Sequence, residues 1–364
     1  MTKVSDGIFI LVASLTLEFF SFVLTFNHLL PINDTPLAYP DKYIPYREWR
    51  TEKSSWGAWH KPNASAVGVK QCFHVTYTSN EVGARDSSFN DANKRAKKNQ
   101  YILIGDSFAE GLGVDFDFTA QRLIEKKAGV NILNFGSSGM VGPVQYYLIY
   151  KEFAKNYDHD GLIIFFLPDN DFTDNDFDFW RNYKNKDILR WRPYYKKDNQ
   201  GGYEAFIPAN AKKSPERYTY SFFEKYLWMN NIFKTYRLIT EQKKVSGVKP
   251  YSGYFDASIE EQKAATFFID KLIKESKAKK IILVAIPRRQ DFLRIAKGAD
   301  QHKMYWHKSF ENISARHKKD VIFLDLADYK KPEDSDELFM QCDGHWSAEG
   351  NEWAADVIAS KLKL

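Results

Sequence analysis

The chain has 364 residues, of which 44% are hydrophobic and 27% charged, so disordered and low-complexity fibrous classes are excluded. The formal net charge is only +5, and no basic run exceeds a short stretch such as Lys94–Lys98, which argues against nucleic acid as a partner. Two cysteines, Cys72 and Cys342, exclude a disulfide-rich scaffold and leave one bridge or two buried thiols.

Residues 8–26 read IFILVASLTLEFFSFVLTF, with Glu18 as the one charge. That length matches the roughly 20 residues needed to cross a bilayer core. No small-residue cleavage site follows, so an uncleaved membrane anchor over residues 1–30 is expected. Glu18 also fits a buried globular helix, because an acid in mid-membrane is costly. Lys3 before the segment and Lys42, Arg47 and Arg50 after it do not choose an orientation.

Residues 31–99 read as a linker and N-terminal extension. Pro31, Pro36, Pro40 and Pro45 forbid a helix in the first part. Residues 73–78 alternate like a strand, and Asn80–Asp86 form a turn. From residue 100 to 364 strands alternate with helices. Apolar runs at 101–105, 131–135, 161–167, 281–286 and 321–326 are the strands, with helices near 118–127, 144–156 and 348–362. This rhythm predicts an α/β fold with a five-stranded parallel sheet covered on both faces. It breaks between about 172 and 258, where Trp180, Trp191, Tyr194, Tyr195, Tyr203, Phe222, Phe223, Tyr226 and Trp228 suggest an inserted lid or subdomain.

Four blocks carry chemistry. Gly105-Asp106-Ser107 ends the first sheet strand, lifting a hydroxyl above the edge where open α/β sheets bind ligands. Asn134-Phe135-Gly136-Ser137-Ser138-Gly139 ends the second and offers small residues whose N–H groups can approach a bound group. Pro168-Asp169-Asn170-Asp171 ends the third, and the Asn170 amide is a candidate oxyanion donor. The acids Asp169, Asp171, Asp174, Asp176 and Asp178 could instead hold a cation, although the spacing is not that of an EF-hand loop. Asp343-Gly344-His345, before the last helix, supplies an imidazole and a carboxylate to orient it. Nucleophile, base, orienter and oxyanion donors at one sheet edge are the set that acyl transfer requires.

On these blocks the chain resembles the SGNH (GDSL-like) hydrolase superfamily over about residues 101–364. The resemblance implies a flavodoxin-like three-layer α/β/α sandwich. It implies Ser107 as nucleophile, His345 as base, and Ser107, Gly136 and Asn170 as the oxyanion hole, with Asp343 orienting the base. No metal or organic cofactor is implied. Two departures stand out: Pro168 replaces the usual glycine of the third block, and Asn175-Asp176 offers a second Asn-Asp pair. The single residue between Asp343 and His345 looks like the variant of membrane-associated and alginate-acetylation-type members. Asn80–Asp86 also resembles a segment found ahead of the GDS block in bacterial members, with a salt bridge expected at Arg85.

The expected activity is hydrolysis of acyl esters on an envelope glycan or lipid. Transfer to a sugar hydroxyl by the same residues, or a catalytically silent glycan-binding scaffold, are the alternatives. The catalytic part is expected outside the cytoplasm, in the periplasm or at the cell surface.

Overall fold

The computed structural model describes residues 2–26, 50–53, 55–70, 72–90, 99–139, 141–182, 191–209, 211, 251–341 and 343–362. The apolar N-terminal stretch forms helix α1 (Thr2–Phe26). Its side chains are described from Gly7 to Phe20 and at Val23. Among the described residues no helix is long and apolar enough to cross a membrane, and the expected span is not met within them.

Two antiparallel hairpins follow: β1 (Arg50–Lys53) with β2 (Gly57–His60), and β3 (Ser65–Lys70) with β4 (Phe73–Thr78). The sequence reading expected only the last of these four strands. This region is more than a linker. Trp56, Trp59, Ala84 and Phe89 belong to the same buried cluster as the central sheet, and Trp59 stacks on Phe135 at 6.2 Å. Cys72, in the turn between β3 and β4, is disulfide-bonded, and Cys342 is the one other cysteine of the sequence.

The central sheet has five parallel strands, as the alternating pattern predicts. They are β5 (Gln100–Ile104), β6 (Asn131–Asn134), β7 (Gly161–Phe166), β10 (Lys280–Ala285) and β11 (Asp320–Asp325), in the order β11-β10-β7-β5-β6. Successive side chains of a strand point to opposite faces. All residues of β5, β6 and β7 are buried, so both faces of the sheet are covered. The order reverses between β5 and β7, the first and third strands of the sheet. That switch point is where a crevice opens beyond the strand ends.

Short helices lead away from those ends: α2 (Ser107–Glu110) after β5, and α5 (Pro168–Asp171) after β7. Longer helices pack in pairs against the sheet. Helix α3 (Ala120–Ala128), capped by Thr119, packs on α12 (Ala348–Leu362), and α4 (Pro143–Glu152), begun by Pro143, packs on α8 (Ile259–Glu275). Ser258 and Glu261 form a reciprocal cap at the start of α8, satisfying two N–H groups the first turn leaves open.

The aromatic excursion opens with α6 (Phe177–Asn182) and the hairpin β8 (Tyr194–Lys197) with β9 (Tyr203–Phe206). Trp180, Tyr194 and Tyr203 are buried, and Arg192 lies over the Trp180 ring at 4.6 Å. Phe222, Phe223, Tyr226 and Trp228 lie outside the described residues. The chain re-enters through α7 (Gly253–Asp256), which packs directly on α5. Contact there is so close that a β-carbon on Gly253 would stand 2.1 Å from the Pro168 carbonyl. Helices α9 (Arg289–Ala296), α10 (Tyr305–Glu311) and α11 (Ile313–Arg316) complete the run between β10 and β11.

Candidate active site

Ser107 is the first residue of α2, and Asp106 caps that helix by accepting the Phe108 N–H at 3.0 Å. The cap fixes the backbone so that the serine side chain stands at the crevice. Across 238 residues of sequence, His345 Nε2 lies 2.7 Å from Ser107 Oγ. Asp343 Oδ1 contacts Nδ1 of the same ring in a very short interaction. A carboxylate on Nδ1 holds the proton there and leaves Nε2 as the acceptor for the serine hydroxyl. The silent-scaffold alternative would gain weight from a wide separation of these groups, and they touch.

The loop that presents His345 is built by its own backbone. Gly344 N–H donates to Met340 O at 2.9 Å, Met340 N–H to His345 O at 2.8 Å, and Ser347 N–H to Leu338 O at 2.9 Å. Trp346, buried, meets Phe108 edge-on at 4.8 Å and Phe165 at 5.9 Å. Phe108 in turn lies 5.0 Å from the His345 ring. Phe108 and Trp346, the residues after Ser107 and His345, thus pack on each other, fixing the distance between serine and imidazole.

Asn170, on α5, donates its amide to Asp106 Oδ2 at 3.3 Å, which brings it beside Ser107. Asn175, the competing Asn-Asp residue, is elsewhere. It is buried, accepts the Val144 N–H at 3.0 Å and donates to Pro193 O at 3.0 Å, tying α4 to the excursion. The acids between 169 and 178 do not converge on a cation. Asp169 pairs with Arg288 at 3.1 Å, Asp171 accepts from the Tyr146 hydroxyl at 2.7 Å, Asp174 lies 3.6 Å from Arg192, and Asp176 accepts from the Tyr195 hydroxyl at 2.8 Å.

Gly136 sits otherwise than expected of an oxyanion donor. Its N–H donates to Asn134 Oδ1 at 2.7 Å, and a β-carbon there would stand 2.5 Å from Glu110 N. Glycine at 136 lets the second loop lie against α2. Three residues on, Gly139 has φ +105°, and its N–H makes no hydrogen bond among the described residues. The left-handed backbone favours glycine and turns the amide out of the local ladder.

Two further groups, Glu110 and Arg288, were missed by sequence reasoning, and a third, Arg85, is held otherwise than expected. Glu110, fully buried at the end of α2, takes both the N–H and the hydroxyl of Ser138 in very short contacts, with His60 Nε2 3.2 Å away. Burial pushes its carboxyl up to about 7, against the lowering effect of the Ser138 donors. Arg85 donates to the carbonyls of Glu110 at 3.1 Å and Val114 at 2.6 Å, and in a very short contact to Gly111, while lying 4.4 Å over the Tyr77 ring. The salt bridge expected for Arg85 is thus a clamp on carbonyl oxygens; burial lowers the guanidinium to about 10. Arg288, paired with Asp169, also lies 5.9 Å over the Phe108 ring beside Gly344. No sequence spacing links these residues to the blocks, although Asn80–Asp86 already held a glycine, an arginine and an acid in a turn. There Asn80 Oδ1 accepts the Ala84 N–H at 2.9 Å, and Asp86 Oδ2 accepts the Asn134 N–H at 3.0 Å.

No family model matches the chain, and no curated protein does. Among solved structures it is similar to a lipase/acylhydrolase from Enterococcus faecalis, with 14% identity, TM-score 0.40, and 73% of this chain and 95% of that one covered. It is also similar to a member of the lipolytic protein G-D-S-L family from Veillonella parvula DSM 2008, with 11% identity, TM-score 0.35 and coverage of 71% and 94%. A family two carbohydrate esterase from Clostridium thermocellum matches at 10% identity and TM-score 0.33, over 73% of this chain and 63% of that one.

Proposed function

We propose that the chain is a serine-dependent acyl ester hydrolase that works through an acyl-enzyme on Ser107. The observation that carries this reading is the Asp343–His345–Ser107 relay, with Nε2 2.7 Å from Oγ. His345 takes the hydroxyl proton as Oγ attacks the ester carbonyl, and Asp343 stabilises the imidazolium. The oxyanion is received by the N–H groups of Ser107 and Gly139 and the amide of Asn170, which Asp106 holds in place. His345 then protonates the departing alkoxide. Water, deprotonated by the same ring, releases the acid and restores the serine. The substrate we assign is an O-acyl group on an envelope glycan or lipid.

Two features support a site outside the cytoplasm at a membrane. Helix α1 exposes Ile8, Phe9, Ile10, Leu11, Val12, Leu15, Leu17, Phe19 and Phe20, an apolar surface suited to lipid, and residues 8–26 are proposed as the anchor. The disulfide at Cys72 fits an oxidising compartment.

The test is labelling with a fluorophosphonate and hydrolysis of a short-chain aryl ester by the full chain in detergent. Both should vanish in Ser107→Ala. Labelling or turnover that survives that substitution would end the proposal. Adding a glycan acceptor and weighing the product separates hydrolysis from transfer.

A further inference from the structure

Beyond the carboxyl end of β11, the outermost strand of the sheet, five titratable side chains crowd together. His302 lies in the turn of residues 301–303 and His307 on α10, with their rings edge to face at 4.5 Å. His302 Nε2 is 3.3 Å from Asp328 Oδ1, and its Nδ1 is 3.6 Å from Glu311 Oε1. His307 Nδ1 is 3.3 Å from the same Glu311 oxygen, and its Nε2 is 3.2 Å from Asp325 Oδ2. His307 and Asp325 are buried, yet both ring nitrogens and that carboxylate oxygen lack a hydrogen bond of acceptable geometry. Three carboxylates against two imidazoles leave an excess of negative charge when the rings are neutral.

We propose that His302, His307 and Asp328 bind one zinc ion. One donor atom from each already lies within 4.8 Å of the other two. A tetrahedral ion with bonds of about 2.0–2.1 Å needs its ligands roughly 3.3 Å apart. His302 and Asp328 are exposed enough to close that difference. Two imidazole nitrogens and one carboxylate oxygen suit zinc, whereas calcium and magnesium take oxygen sets. Glu311 and Asp325 would accept the N–H groups on the far sides of the rings, as carboxylates behind metal-bound histidines commonly do. Gln301 steadies the third ligand, donating to Asp328 Oδ1 at 3.0 Å. The ion would tie the 301–303 turn and α10 to the segment after β11, separately from the Ser107 centre.

The experiment is calorimetric titration of zinc chloride into untagged, metal-stripped full-length protein, with metal content measured after dialysis. One zinc per chain with a micromolar or tighter Kd is expected, together with a raised Tm. His302→Ala and Asp328→Asn, both at exposed positions, should each weaken binding roughly tenfold or more while leaving fluorophosphonate labelling of Ser107 unchanged. Absence of stoichiometric binding to the wild-type chain, or binding indifferent to both substitutions, would overturn the assignment.

Discussion

Glu110 holds Ser138 by both its N–H and its hydroxyl, so the short helix that begins at Ser107 ends by gripping the loop that carries Gly139. One turn of helix therefore connects the candidate nucleophile to a candidate oxyanion donor, and His60 backs the carboxylate from the N-terminal extension.

Glu110 should leave a mark on the dependence of stability on pH. Its carboxyl titrates near 7 in the folded chain against an ordinary 4.5. Below about 4.5 it is protonated in both states and contributes nothing. As pH rises toward 7 the unfolded chain loses that proton first, so the folded state is progressively disfavoured, and above 7 the penalty is constant. Glu110→Gln cannot titrate. Its stability relative to wild type should therefore improve between about pH 4.5 and 7, by at most about 3 kcal/mol. Urea unfolding at several pH values checks this; a gap that does not vary with pH refutes it.

Asn170 and Asn175 should separate cleanly by kinetics. Loss of the Asn170 amide is expected to lower kcat on the order of 10²–10³-fold with little change in unfolding. Asn175→Ala instead strands the Val144 N–H and the Pro193 carbonyl, so it should cost roughly 1–3 kcal/mol of stability for each buried group left unpaired. Ester hydrolysis and chemical denaturation of the two variants, side by side, decide which asparagine belongs to the site.

Replacing Arg85 by alanine uncovers the carbonyls of Glu110, Gly111 and Val114 at once. A loss on the order of 3 kcal/mol is expected. Arg85→Lys should recover only part of it, since an ammonium neither forks between oxygens nor stacks on Tyr77 as a guanidinium does. Equal stability of the lysine variant and wild type, read from unfolding midpoints, would show that charge alone matters.

Reduction bears on the same region from the other side. The bond at Cys72 should cost about 2–4 kcal/mol when removed by Cys72→Ser. Because Cys342 directly precedes Asp343, the variant should also lose turnover at temperatures where it remains folded. Activity and Tm with and without dithiothreitol provide the measurement.

The sheet was legible because its evidence is local. Short uniformly apolar runs such as GLIIFFL read as strands covered on both sides, and chemistry-bearing residues immediately follow them. Ser107, Asn170 and His345 were findable for that reason, each lying next to a strand end or a helix start. What escaped depends on contacts far apart in sequence. His60 meets Glu110 across 50 residues and Arg85 reaches Val114 across 29, with no periodicity to announce either. The tie of Gly136 to Asn134 and its close seat on α2 could not be read, because they depend on backbone angle and close packing. The pair His302 and His307 carried no recognisable metal spacing, since Asp328 joins them only after β11 has been laid beside β10.

The close seat of Gly253 on Pro168 has a consequence for how this scaffold tolerates change. The excursion after α5 leaves and returns on the doorstep of Asn170, so its length and make-up are free to vary only if the homecoming residue stays bare. A single methyl group at that position would press on the turn that aims the asparagine. Grafting a different excursion onto this sheet should therefore keep residue 253 as the fixed splice point and redesign what precedes it.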